Sequence, residues 1–244
     1  MKIFGVTIEG ITLDEVIDRI KRATHCVWIV TANPEILLEA HRDPRYAHTL
    51  EQADIRTVDG VGLAMVGRCF GSRWARVTGV ELGERLIAYA AKEGLRIGLI
   101  GGAHAVAQAV AAHWYRIYPN LILTFEEGGR IKSDGIDDEA GEESRHRLTL
   151  FAPDILLVAF GHPKQERWIA RYLADLPQLK IVMGVGGSFD YWAGSARRAP
   201  LFFQRAGFEW LWRLCAQPSR IRRIFRAVVL FPVLAIADRY RSIR

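Results

Sequence analysis

Short, nearly continuous apolar runs alternate along this chain with longer stretches whose apolar positions recur every three or four residues. The runs Cys26 to Val30, Ile55 to Val58, Arg96 to Ile100, Leu121 to Phe125, Ile155 to Phe160 and Lys180 to Met183 read as buried strands. A further segment, Lys2 to Glu9, alternates apolar and polar positions and predicts a strand at the start of the chain. Thr12-Leu-Asp-Glu15 has the form of a capping box and opens a helix running to about Arg22. Pro34 suits the first turn of a helix carrying Ile36, Leu37 and Leu38, which Asp43-Pro44 breaks before a further short helix to about Ala53. An apolar helix spans Leu63 to Phe70, and Gly71 to Ala75 reads as a loop. Arg76-Val-Thr-Gly79 then leads into a long helix through Ala91, closed by Gly94. Helices are also expected over Ala103 to Tyr118, Gly135 to Leu150 and Gln165 to Leu173.

Strands alternating with helices in this way predict βαβ units, an α/β fold with a Rossmann-like, mostly parallel sheet flanked by helices. Such sheets take ligands beyond the carboxyl ends of their strands, where the strand order switches direction. That rule selects the turns after Val30, Val58, Ile100, Phe160 and Met183, and those turns have unusual composition.

Val158-Ala-Phe-Gly-His-Pro-Lys-Gln-Glu-Arg-Trp168 carries a strand through a turn into a helix, with Lys164, Gln165, Glu166 and Arg167 at the mouth. Unpaired N–H groups and the positive end of the helix dipole make that a place for a phosphorylated ligand, or simply a helix that begins with solvated polar residues. Gly101-Gly102 after a strand permits close backbone approach to a ligand, and equally fits plain turn geometry. It lacks the spacing of a dinucleotide fingerprint, which disfavours a dinucleotide-dependent dehydrogenase. Asp59 ends a strand where a carboxylate can act as a general base or accept backbone N–H bonds for the next helix. Thr31 and Asn33 are placed to bond a polyhydroxyl substrate or to cap the helix at Pro34. Gly184-Val-Gly-Gly187-Ser-Phe-Asp190 is more specific: glycines packed after a strand form a backbone cradle, with Gly186 and Gly187 at its centre.

Charge changes the picture at the end of the chain. The 244 residues carry a net +6, but from Leu201 onward nine Arg face only Glu209 and Asp238, a net of +7. The basic character therefore belongs to the tail. Leu201 to Cys215 is rich in Phe and Trp, Gln217-Pro218-Ser219 interrupts it, and Arg220, Arg222, Arg223 and Arg226 then interleave with Ile221, Ile224, Phe225 and Val228. This is a basic amphipathic helix suited to an anionic membrane surface or a phospholipid-like substrate. An acidic-to-neutral body argues against nucleic acid as a partner. The longest uncharged stretch there, Ala227 to Ala237, contains Pro232 and is too short to span a bilayer, so membrane contact is expected to be peripheral. The aromatic tail could also form a self-association interface, giving a homo-oligomer. Cys26, Cys69 and Cys215 are scattered, the seven histidines show no metal-ligand spacing, and no signal-type segment opens the sequence, so the expectation is a cytoplasmic chain with no metal site.

Taken in order, Thr31-Ala-Asn-Pro-Glu35, Asp59-Gly60, Arg76-Val-Thr-Gly79, Gly101-Gly102, Gly161-His-Pro-Lys-Gln-Glu166, Gly184-Val-Gly-Gly-Ser-Phe-Asp190, Arg198-Ala-Pro200, Gly207-Phe-Glu-Trp-Leu211 and Gln217-Pro-Ser-Arg220 resemble the WecG/TagA/CpsF bacterial glycosyltransferases, glycosyltransferase family 26. The resemblance covers nearly the whole chain. It implies an inverting, metal-independent enzyme that needs no cofactor and moves a sugar from a UDP-sugar to a polyprenyl-diphosphate-linked saccharide at the cytoplasmic membrane face, in cell-surface polysaccharide or teichoic acid synthesis. It implies Asp59 as the base and Thr31, Asn33, Arg76 and Gln165 as pocket residues, to which the glycine-rich turns add expected backbone contacts at Gly101, Gly102, Gly186 and Gly187. It further implies a division into a catalytic domain, residues 1–200, and a membrane-associating helical appendage, residues 201–244, whose Arg213, Arg220 and Arg223 reach substrate. Where the family has an Asp, this chain has Glu81, which receives no role. The contrasting expectation is a non-catalytic module that binds nucleotide-sugar or anionic lipid.

Overall fold

A computed structural model of the chain describes residues 1–102, 104–196, 199–200, 202–203, 211–212 and 221–243. The first segment is not one strand. Phe4 and Gly5 both take positive φ, 49° and 82°, and fold it into a hairpin of β1 (Lys2–Ile3) and β2 (Val6–Thr7). Two central residues with φ > 0 give a turn that matches strand twist, which simple alternation of apolar positions does not reveal.

The helices and strands that follow are α1 (Leu13–Arg22), β3 (Val27–Ala32), α2 (Pro34–Arg42), α3 (Pro44–Glu51), β4 (Ile55–Val58) and α4 (Val61–Cys69). Then come α5 (Gly79–Glu93), β5 (Arg96–Gly101), α6 (His104–Ile117), β6 (Ile122–Glu126), α7 (Glu139–Phe151), β7 (Ile155–Ala159), α8 (Lys164–Tyr172), β8 (Ile181–Gly184) and α9 (Ser188–Trp192). Strands β3 to β8 form a six-stranded sheet in the order β4-β3-β8-β7-β5-β6, every pair parallel. The α/β expectation holds.

Helices on both faces explain the unbroken apolar strands. Along β3 all six residues are buried, and alternate side chains enter different cores. Trp28, Val30 and Ala32 pack with Leu37, Leu63 and Trp168, whereas Val27 and Ile29 pack with Leu82, Leu86 and Met183. The start of α1 is the expected capping box, with the Thr12 N–H donating to Glu15 and the Glu15 N–H donating to Thr12 Oγ1. The start of α5 repeats it: the Glu81 N–H donates to Thr78 Oγ1 at 3.2 Å and Glu81 accepts from the Thr78 N–H. Glu81 therefore has a structural role, closing a capping box with the same Thr-x-x-Glu spacing as Thr12 and Glu15. Gly94 ends α5 in the left-handed conformation, φ 67°.

The chain closes with α10 (Ile221–Phe225), a π-helical turn at Arg226–Leu230 and α11 (Phe231–Ile243), which run on without a break. Phe231 and Ala235 are fully buried in the core that also holds Phe4. The Phe4 N–H donates to Asp238 Oδ2 at 3.0 Å, and the Phe4 and Phe231 rings meet edge to face. A Cβ on Gly62 of α4 would collide with the carbonyl oxygen of Ala227, so the tail lies directly on that helix. Among the described residues no helix is long and apolar enough to cross a membrane. The expected break at Gln217-Pro218-Ser219, and Arg197, Arg198, Arg213 and Arg220, lie outside the described residues.

Candidate functional site

The carboxyl ends of β3, β4, β7 and β8 converge on a cavity of about 570 Å³. Thr31 and Asn33 enter it from the end of β3, Asp59 from β4, Gly161 and His162 from the turn after β7, and Gly184 to Ser188 from the turn after β8. This is where a parallel sheet is expected to hold a ligand. The cavity brings together most of the residues singled out from sequence.

Asp59 is fixed by its backbone, whose N–H donates to the Ala32 carbonyl at 2.7 Å. Its Oδ2 lies 3.5 Å from the N–H of Gly79, the first residue of α5, so the carboxylate faces the positive end of that helix. Gly79 is also tight against Thr31, whose Oγ1 would be 3.1 Å from a Cβ at that position. Thr31 and Asp59 thus stand side by side before one helix N-terminus.

Asn33 is the N-cap of α2, its Oδ1 accepting from the N–H groups of Glu35 and Ile36 at 2.9 and 3.0 Å. The cap uses only the oxygen, and Asn33 also lines the cavity.

Gln165 lines the cavity too, but it is 4% exposed and already engaged. Its Oε1 accepts from the Gly186 N–H at 3.1 Å, and its Nε2 donates to Glu166 Oε1 at 2.7 Å. Gln165 thus braces the glycine turn from within the cavity wall. The polar mouth of α8 is otherwise dispersed. Glu166 is buried beneath Tyr46, Lys164 is exposed, and Arg167 pairs with Asp43 and the Ser133 carbonyl. Burial pushes the Glu166 carboxyl up from the usual range, opposed by the hydrogen bonds from Gln165 and Tyr46. Burial likewise pushes the Tyr46 hydroxyl well up, reinforced by the adjacent Glu166 charge.

The tail reaches the rim through Arg223, which lines the cavity and holds Glu35 of α2 with two hydrogen bonds of 2.8 and 2.6 Å. Those bonds raise the Arg223 pKa further. His162 Nε2 approaches the same carboxylate at 3.9 Å. Arg76 extends the edge of the sheet through a parallel bridge to Val58, with the Val77 N–H donating to the Val58 carbonyl; it is not among the residues lining this cavity. Gly101 and Gly102 are not among them either. At Gly101, φ 102°, a Cβ would meet the Ala159 carbonyl carbon at 2.8 Å, so the turn after β5 needs glycine for packing.

Glu35, Asp190, Tyr191, Ser195 and Trp212 also line the cavity and were not chosen as site residues from sequence. Asp190 had a signal, because it closes the glycine-rich run. Glu35 reads locally as a first-turn acid complementing a helix dipole, which hides its role at the rim. Among the described residues no three His, Cys, Asp or Glu side chains cluster as metal ligands would.

Comparison with known proteins matches the chain over residues 1–244 to the family described as Glycosyl transferase WecG/TagA/CpsF family. The chain is similar to an N-acetylglucosaminyldiphosphoundecaprenol N-acetyl-beta-D-mannosaminyltransferase of Bacillus spizizenii, 35% identical over 81% of this chain and 74% of that one. A protein of the same description from Staphylococcus aureus strain MRSA252 is 30% identical over 97% of this chain and 92% of its own.

Proposed function

This chain belongs to the WecG/TagA/CpsF family of glycosyltransferases, and on that premise we propose that it moves N-acetylmannosamine from UDP to an N-acetylglucosaminyl-diphospho-polyprenol. It is an enzyme, and the non-catalytic reading gives way to membership in a transferase family. The acceptor class and the sugar follow the names of the relatives; the UDP donor, inversion and independence of a metal extend beyond those names.

The observation that carries the reading is the placement of Asp59 and Thr31 together before the N-terminus of α5, inside the cavity at the strand ends. In a single displacement, the acceptor hydroxyl oxygen attacks the anomeric carbon and the bond from that carbon to the diphosphate oxygen breaks. Asp59 takes the hydroxyl proton, and UDP departs with the electron pair. The sugar passes from α linkage in the donor to β linkage in the product. Thr31 and the Asn33 amide nitrogen bond sugar hydroxyls. Negative charge growing on the departing diphosphate is met by arginine side chains, Arg76 from the body and Arg213, Arg220 and Arg223 from the tail, and by helix N-termini. Backbone groups of Gly186 and Gly187 line the donor side, and the turn at Gly101 and Gly102 flanks it.

The outward face of the tail supports docking on an anionic membrane. Ile221, Phe225, Val229 and Val233 recur every four residues and are 47 to 62% exposed, with Arg222 and Arg226 beside them. Such a stripe lies in an interface without spanning it. The proposed location is peripheral, on the inner membrane face, where a polyprenyl acceptor would present its saccharide. The test is direct: purified enzyme is incubated with UDP-N-acetylmannosamine and a lipid-linked N-acetylglucosaminyl diphosphate in the presence of a chelator. A β-linked disaccharide product is expected. An α-linked product would overturn inversion, and product that forms only when divalent metal is restored would overturn metal independence.

A further inference from the structure

Glu166 is an almost fully enclosed carboxyl next to the cavity-lining Gln165, and the mechanism above gives it no part. It lies on α8 with 1% exposure and two hydrogen-bond donors aimed at it, one on each oxygen. Tyr46 Oη, from α3, donates to Oε2 at 2.9 Å, and Gln165 Nε2 donates to Oε1 at 2.7 Å. The other end of the Gln165 amide, Oε1, accepts the Gly186 N–H at 3.1 Å. The turn between β8 and α9 is built around that amide. A Cβ on Gly184 would lie 2.5 Å from Gln165 Nε2, and Gly186 sits at φ 48°.

The direction of the amide follows from its partners. A backbone N–H can only donate, so the end facing Gly186 must be the oxygen; the nitrogen then faces Glu166, which must accept. Were an apolar side chain in place of Glu166, the amide nitrogen would be buried without a partner, and the amide would be driven to turn away from Gly186. Protonation of Glu166 does not disturb the arrangement, because the Tyr46 hydroxyl can accept from Oε2–H as readily as it donates.

We propose that Glu166 is a positioning residue for sugar transfer: with Tyr46 it sets the direction of the Gln165 amide, which holds the Gly184–Gly187 turn in the shape that receives the nucleotide end of the donor. This rests on the reading of the cavity as the donor site. Glu166 itself touches no substrate.

The experiment is a double-mutant cycle read by UDP affinity in calorimetry and by kcat/KM for transfer, using Glu166→Met, Gln165→Ala and the pair. Both single changes are expected to lower UDP affinity and kcat/KM, by up to about 100-fold for transfer, the scale of a misplaced site wall. In the Gln165→Ala background Glu166→Met should cost UDP affinity and kcat/KM nothing further, because its effect travels through that amide. Glu166→Gln should restore activity to within a few-fold, since its carbonyl can accept from Gln165 while its amide donates to Tyr46. Equal losses in both backgrounds, or Glu166→Met with unchanged UDP affinity and kcat/KM, would overturn the positioning role. If Glu166→Met does not fold, Tyr46→Phe carries the same test: a smaller loss that vanishes in Gln165→Ala supports the proposal, and a loss that persists there overturns it. The underlying reading fails separately. A wild-type enzyme that neither binds UDP nor transfers the sugar removes the donor site, and the positioning role falls with it; an active enzyme that is crippled by Asp59→Asn but indifferent to Glu166→Met loses the positioning role alone.

Discussion

Arg223 and Glu35, separated by 188 positions in sequence, meet in a two-pronged ion pair of 2.8 and 2.6 Å at the rim of the cavity. The pair ties the closing helix of the chain to the helix that Asn33 caps. It therefore sets where the tail stands over the site.

Arg223 is more than half exposed, its side chain at 56%, so the pair is worth little to folding. Arg223→Ala is expected to cost no more than about 1 kcal/mol of stability by chemical denaturation. Loss of a positive group from the departing diphosphate should cost transfer far more, on the order of 10²-fold in kcat. A variant with full activity would remove Arg223 from the reaction.

Asp59→Asn keeps the size of the side chain and an oxygen that can accept the Gly79 N–H. The expected outcome is UDP binding near wild type with kcat reduced by ~10²–10⁴. Single-turnover transfer and calorimetry on the same preparation separate the two effects.

Glu166 makes stability depend on pH with a definite sign. Its folded pKa is raised, chiefly by burial, above the ordinary 4.5. The folded state therefore holds the proton more tightly than the unfolded chain, and the stability this supplies is complete below pH 4.5 and is lost as pH rises through the raised folded value. Compared with Glu166→Gln, which has no proton to lose, the wild type should become relatively less stable as pH climbs through that window. Paired melting curves across pH check it, and parallel curves would show that burial does not perturb Glu166.

Gly62→Ala tests how the tail is seated. A Cβ there collides with the Ala227 carbonyl oxygen, a backbone atom that cannot swing aside. Overpacking of this kind costs about 1–3 kcal/mol, partly offset by the better helix propensity of alanine. Faster amide exchange confined to residues 221–243 is the expected signature; unchanged exchange would mean that α4 absorbs the strain.

The outward stripe predicts vesicle binding. Phe225→Ser with Val233→Ser removes two exposed apolar side chains, 57 and 62% accessible, while leaving every arginine in place. Each apolar side chain of this size is worth about 1.5–3 kcal/mol when fully buried, so the pair should weaken binding to anionic vesicles at least tenfold. Retention of wild-type binding would leave the arginines as the whole of the membrane contact.

Features written in neighbouring residues could be read before the structure. The capping box at Thr12 and Glu15, the Gly94 stop, the Asp43-Pro44 break and the strand ends that form the cavity all depend on contacts a few positions apart. Glu35 with Arg223 and Tyr46 with Glu166 depend on partners 188 and 120 positions away, and no local spacing announces them. Gln165 illustrates the limit well. A polar residue at a helix mouth suggests a ligand contact, and only the three-dimensional arrangement reveals that both ends of its amide are already committed.

The π-helical turn at Arg226–Leu230 gives the tail helix two phases. A π turn carries one residue more than an α turn, and each residue of an α-helix advances the direction of its side chains by about 100°. Upstream, that setting aims Arg223 at Glu35; downstream, it turns Phe231 and Ala235 into the core. The length of the tail is thus part of its information. Were the same residues wound as one uninterrupted α-helix, with Phe231 held in the core, Arg223 would be rotated by roughly a quarter turn off the rim.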